Sequence, residues 1–155
     1  MATGAAAVAT ATVPFPSLEW FQRLADLMNT NRTRQEQLGY VDCTAQFTVT
    51  GSRPFAVQVT FEEFAATDVR PAADERRADF VLEAPLAVWR AMIESIRQGG
   101  GRPALDQTLN RLSHFDTPIR VRSDDVLRKD LYFRYNQSLQ EFVNASAAFA
   151  TVFPD

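Results

Sequence analysis

Cysteine, histidine and lysine are almost missing from this chain of 155 residues, which has one of each: Cys43, His114 and Lys129. A single cysteine excludes an intrachain disulfide and fits a reducing compartment. A single histidine without a cysteine cluster argues against a zinc site, so no metal is expected. Glycine is scarce too, at six residues, three of them consecutive in QGGGRP (98–103). That stretch matches neither a phosphate-binding Walker loop nor a dinucleotide fingerprint, so no cofactor is expected. It reads as a flexible connection, a candidate lid hinge over a cavity.

A clustered basic surface is also lacking. Net charge is −3, the pI is about 5.2, and the fifteen arginines are spread among acids, which excludes nucleic acid as the expected partner. No apolar run approaches the roughly 20 residues needed to span a bilayer. The opening MATGAAAVATATV lacks the positive and Leu-rich regions of a signal peptide. Residues 1–14 are expected to be a disordered Ala/Thr-rich leader, and 15–150 one soluble, cytoplasmic domain. What the chain does have is apolar bulk: 46% hydrophobic residues with 12 Phe and 2 Trp, enough for a sizeable core at the usual size of one domain.

Helical spacing of Leu18, Phe21, Leu24, Ala25 and Met28 predicts a first helix, capped by Ser17. Residues 41–49 then alternate strictly, with Val41, Cys43, Ala45, Phe47 and Val49 against Asp42, Thr44, Gln46 and Thr48. TGSRP supplies a turn, and Phe55, Val57, Val59 and Phe61 repeat the alternation, which predicts an antiparallel hairpin. A third strand is expected after Phe61, ending at Pro71. A fourth is expected over 78–84, then a helix from Pro85 with Leu86, Trp89, Ile93 and Ile96 on one face. A short helix over 104–112, a strand over 118–122 and a long helix starting at Ser123-Asp124-Asp125 complete the order. The simplest packing is α+β in two layers: a mostly antiparallel sheet of about five strands with helices on one face.

Projected at 100° per residue, the last helix gathers Leu127, Leu131, Tyr132, Tyr135, Leu139, Phe142 and Val143 in an arc of roughly 160°. Ser138 lies inside this arc and Asn136 at its edge, while Phe133 falls on the opposite side. The arc is either plain core or the wall of a cavity oriented by a few polar groups.

The opening FPSLEWFQRLADLMN, the hairpin DCTAQFTVTGSRPFAVQVTF, the unit ADFVLEAPLAVWRAMI and the tail DLYFRYNQSLQEFVNA together resemble the sterol carrier protein type 2 family, over about residues 15–148. The resemblance implies a five-stranded sheet covered by helices, with an apolar tunnel between them that takes fatty acids, acyl-CoA, sterols or other lipids. It brings no catalytic residue. The chain ends in FPD and not in the peroxisomal SKL signal of many eukaryotic members.

If such a tunnel exists, its wall would come from Phe47, Val57, Val59 and Phe61 on the hairpin, and from Trp89, Met92 and Ile93 on the middle helix. Leu109 and Leu112 would add to it, with Tyr132, Tyr135, Asn136 and Leu139 from the last helix. Three functions stay open. The first is carriage of an apolar small molecule. The second is a small enzyme on the same scaffold, acting on a polyketide- or terpenoid-like substrate, with His114, Asp116, Tyr135 and Glu63 as catalytic candidates. The third is a dimeric interaction module. The chain is expected to be a monomer or a homodimer.

Overall fold

The structure, a computed structural model, describes residues 12–154. Its centre is the predicted hairpin. Strands β2 (Cys43–Thr50) and β3 (Phe55–Glu62) pair antiparallel, with Cys43 opposite Phe61 and Phe47 opposite Val57. Alternation sends Cys43, Ala45, Phe47, Val49, Val57, Val59 and Phe61 to one face, where all are buried. Strand β4 (Ala65–Pro71) joins the far side of β3, with a register shift at Thr60/Phe61. Strand β5 (Phe80–Pro85) pairs with β2, and β6 (Arg120–Arg122) pairs with β5. The sheet order is β4-β3-β2-β5-β6. Within this sheet only the β2–β5 pair is parallel, which requires a crossover that alternation does not reveal.

Five helices flank this sheet: α1 (Leu18–Thr30), α2 (Arg32–Leu38), α3 (Leu86–Gln98), α5 (Val126–Arg134) and α6 (Asn136–Asn144), with the one-turn α4 (Leu109–Leu112) between α3 and β6. Helix α1 starts as predicted, the Ser17 hydroxyl accepting from the Trp20 N–H at 3.1 Å. It buries Trp20, Phe21, Leu24, Ala25 and Met28. Helix α3 buries Trp89, Met92, Ile93 and Ile96. The Trp89 indole N–H reaches the carbonyls of Thr48 and Ala84, both at 3.1 Å, and so pins α3 over the β2–β5 seam.

Four expectations need correction. First, residues 1–11 of the expected leader lie outside the described residues, and Thr12–Pro14 form a strand, β1. It pairs parallel with β7 (Ala150–Val152) and ties the start of the domain to its end. Second, the long terminal helix is two helices broken at Tyr135, whose backbone (φ −103°, ψ 15°) leaves the helical region. The break turns the continuous stripe into two. Helix α5 buries only Tyr132, and Leu127, expected on the apolar arc, is 78% exposed.

Third, α5 is capped by Asp125, whose carboxylate accepts from the Leu127 N–H at 2.8 Å. Ser123, where the helix is expected to start, lies outside it and donates its hydroxyl to the Asp79 carbonyl at 2.8 Å. Fourth, the short helix expected over 104–112 is a single 3-10 turn (Leu105–Gln107) followed by α4.

The glycine run proves to be a helix terminus. Gly101 donates to the Ile96 carbonyl at 2.9 Å, and Gly100 and Gly101 hold φ values of +64° and +108°. A Cβ on Gly99 would run into the Arg102 carbonyl oxygen, with the Ser95 oxygen at 3.3 Å. Gly99→Ala is therefore expected to lower stability by about 1–3 kcal/mol in a chemical melt, as overpacking does.

Candidate functional site

The layer between sheet and helices is aromatic from end to end. Phe21 and Phe47 have ring centroids 5.2 Å apart, Phe47 and Phe142 are 6.1 Å apart, and Phe142 meets Phe61 edge-on at 5.1 Å. Trp89 adds an edge contact on Phe47 at 6.2 Å, and Tyr132 one on Phe80 at 5.6 Å. These rings converge because β2, β3 and β5 send alternate residues to one face in register, Phe47 lying beside both Val57 and Leu82. Helices α1, α3 and α6 cover that face with their apolar stripes.

Eleven of the thirteen residues expected to line a tunnel lie in or against this layer and are buried. Tyr135 and Asn136, at the α5–α6 break, are half-buried. The expected tunnel is not an open space, however. A void wide enough for an alkyl chain would leave its walls accessible to water, yet Phe47, Phe61, Met92, Tyr132 and Leu139 are at most 2% exposed. Large side chains of sheet and helices meet across the layer, Phe142 against both Phe47 and Phe61. The principal depressions among the described residues measure about 240 to 440 Å³, are open to solvent and have mixed polar linings. Of the thirteen, only Ile93 reaches one of them.

One polar network is set into the apolar layer. The fully buried Tyr132 hydroxyl shares a 2.8 Å hydrogen bond with the Ser113 hydroxyl and donates to the Leu109 carbonyl at 3.1 Å. The Ser113 Oγ also lies 2.7 Å from the Leu109 carbonyl, so its single proton is divided between that carbonyl and the phenol oxygen. The Leu109 N–H in turn donates to the Gln140 side chain at 2.7 Å. This network joins α5 and α6 to α4. Asn136 lies close enough to the Tyr132 phenol to favour its ionised form, yet its Nδ2 is buried without an acceptor in hydrogen-bonding geometry.

Burial pushes the Tyr132 phenol up to about 12, against small opposing effects from Ser113 and Asn136. Burial likewise pushes the Cys43 thiol up, with Asp79 and Asp42 adding to it. Such a thiol is a packing group, not a nucleophile. Both groups give stability the same sign of pH dependence. An unfolded tyrosine releases its proton near pH 10 while the folded one holds it to about 12. Its contribution is therefore complete below pH 10 and falls through that window by about 1.4 kcal/mol per unit. Tyr132→Phe is expected to cost about 1 kcal/mol at pH 7, from the lost hydrogen bonds. It should also flatten the loss of stability between pH 10 and 11, as measured by urea melts at each pH.

The four catalytic candidates are not brought to one point. His114 and Asp116 line a depression of about 240 Å³ with Phe115 between them in sequence. One Asp116 oxygen is occupied there, accepting from the Val121 N–H at 3.1 Å. Glu63 is an exposed turn residue at φ +58° lining a different depression. Tyr135 sits at the α5–α6 break; it and Glu63 both lie near enough to Tyr40 to add, after Asp42 and burial, to raising that phenol, but His114 and Asp116 have no part there. Among the described residues, no group of three or more His, Cys, Asp or Glu is placed to hold a metal ion. No helix of the described chain is long and apolar enough to cross a membrane.

Sequence reasoning passed over two ionic clamps on the outer face. Asp79 accepts from the Thr44 N–H at 2.7 Å and from Arg128 Nε at 3.1 Å, fastening α5 to the start of β5. Arg128 also donates to the carbonyls of Arg76 and Ala78. Arg122 bridges Glu83 at 2.6 Å and Glu75 at 2.8 Å, which holds the β4–β5 connection against β6. Arg122 holds the Glu75 carboxyl below the usual carboxylate range. These pairs leave no local trace in the sequence, because the partners lie 39 to 49 residues apart.

No protein-family model matches the sequence, and no curated protein sequence matches it significantly. Solved structures do match the fold. A crystal structure of sterol carrier protein 2 superposes with a TM-score of 0.61 at 20% identity, over 85% of this chain and 96% of that one. The solution structure of a conserved hypothetical protein from Thermus thermophilus, described as possibly a sterol carrier protein, superposes with a TM-score of 0.63 at 16% identity. That match covers 93% of this chain and 96% of the other. The chain therefore has the fold of sterol carrier protein 2, with its five-stranded sheet and its helical cover.

Proposed function

We propose that the protein binds an apolar small molecule, such as a lipid, a sterol or an acyl chain, between its sheet and its helices. The observation that carries this reading is the aromatic layer of Phe21, Phe47, Phe61, Trp89 and Phe142, placed between sheet and helices in a fold shared with a protein named sterol carrier protein 2. The layer is filled in the described conformation, so a ligand enters by displacing part of its cover. Helices α5 and α6 are the part that moves. Helix α5 contributes one buried side chain, the chain is broken at Tyr135, and Asn136 keeps a buried amide without an acceptor beside that break. When α6 shifts, Leu139 and Phe142 yield to the ligand, and Asn136 is free to donate to a ligand oxygen. Ligand pockets combine such an apolar lining with a few polar contacts.

Mass spectrometry of the natively purified full chain, with solvent extraction of what it carries, tests this. The expected result is one apolar molecule per chain, displaced by an excess of a fluorescent fatty-acid analogue. A bare chain mass together with no uptake of the analogue would overturn the reading.

A further inference from the structure

Five large apolar side chains stand out in solvent on the segment that runs from the end of α3 to the end of α5: Leu105, Phe115, Val126, Leu127 and Phe133. Phe115 is 88% exposed and Phe133 54% exposed, and both rim the same depression, with Lys129 and His114 beside them. Val126 lies on the same side of α5 as Phe133, seven residues or nearly two full turns away. Phe115 is held out by its backbone. It and Asp116 both sit at φ +59°, in the left-handed region that bulky residues avoid. The loop is fixed in that shape by the Asp116 N–H on the Ser113 carbonyl at 2.9 Å and by the Asp116 carboxylate on the Val121 N–H. An aromatic ring presented to water on a fixed left-handed turn points to a binding role for the ring.

Charge identifies what the ring meets. The chain is acidic overall, yet residues 97–134 hold eight basic residues against five acidic ones. Arg122 and Arg128 are committed to the clamps on the outer face. Arg111, Arg120, Lys129 and Arg134 enter no ion pair among the described residues. Lys129 shares the depression with both rings, and Arg134 follows Phe133 in the chain. Exposed aromatics beside an unpaired cation suit the headgroup region of an anionic bilayer. Rings settle there at the level of the headgroups while Arg and Lys meet the phosphates. We propose that the Phe115 turn and the Val126–Phe133 face of α5 dock the protein on an anionic membrane surface. This proposal rests on the carrier reading, and it puts the membrane against the helix that reading requires to move.

The test is co-flotation of the full chain with vesicles of phosphatidylcholine containing phosphatidylglycerol at three parts in ten. A parallel assay measures uptake of a fluorescent fatty-acid analogue without vesicles. The wild type is expected to float with the anionic vesicles and to be released by high salt. The double variant F115S/F133S is expected to bind the vesicles at least about tenfold more weakly, since each exposed phenyl that leaves water contributes to partitioning. Its uptake of the analogue should stay unchanged, and its circular dichroism melt should confirm folding. Lys129→Glu should weaken binding to anionic vesicles and leave binding to pure phosphatidylcholine unaltered. Wild-type protein that stays with the unbound fraction overturns the proposal, as does a double variant that floats equally well. So does a wild-type dimer by light scattering that the double variant reduces to monomer with no vesicle binding, which would assign the patch to a second copy. Loss of analogue uptake in the wild type would count against the carrier reading and not against docking.

Discussion

Phe142→Ala will lower the stability of the chain by about 3–5 kcal/mol and, at the same time, increase its binding of small apolar molecules. Phe142 is 1% exposed and is the ring of α6 that meets both Phe61 and Phe47. Its removal loses the transfer free energy of a buried phenyl and leaves a void lined by Phe47, Phe61 and their neighbours, because a core relaxes only in part. A void with such walls stays dry and accepts apolar guests. The variant should therefore be restabilised by an apolar guest more than the wild type is, following the occupancy of the guest. Urea melts with and without a benzene-sized guest measure both effects. A loss under about 1 kcal/mol would mean that Phe142 is not a keystone of the layer. A full loss without restabilisation would mean that the layer collapses around the deletion.

The second large effect belongs to Asp79. Asp79→Ala removes the acceptor for the Thr44 N–H and for Arg128 Nε, both in a part-buried setting with the Asp79 side chain 23% exposed. The expected cost is about 2–4 kcal/mol, for a charge-assisted bond and an N–H left without its partner. Arg128 keeps the Arg76 and Ala78 carbonyls, so it is not stranded. What changes is the attachment of α5 to β5. Amide hydrogen exchange across Val126–Arg134 should quicken more than exchange in α1 or α3. In Asp79→Asn an oxygen still accepts from Thr44 and only the charge opposite Arg128 is lost, so its cost should be about half. Uniform quickening across all helices would show that the clamp supports the sheet and not α5.

The reach of the sequence followed the range of its signals. Alternation at 41–49 and 55–61 placed β2 and β3 within two residues and named every side chain of their buried face, because period two depends on local geometry alone. Trp89, Ile93 and Ile96 were legible on α3 for the same reason at period 3.6. The parallel pairing of β2 with β5 and the β1–β7 pair were not legible. Each joins segments far apart in the chain, and the pairing of distant segments leaves no local pattern. The arc on the last helix misled at Leu127 because the projection assumes an unbroken helix, and the axis changes at Tyr135. Phe133, the residue that did not fit the arc, turned out to be exposed. The hold of Asp79 on Arg128 spans 49 residues and leaves no local trace.

The central claim, an apolar site between sheet and helices, is tested most directly by photolabelling the full chain with a long-chain alkyl diazirine and mapping the adducts by tandem mass spectrometry. The account predicts labels on Phe47, Trp89, Leu139 and Phe142, competed away by unlabelled fatty acid. Labels confined to Phe115, Phe133 and other exposed positions, with the buried layer untouched at saturating probe, would contradict it.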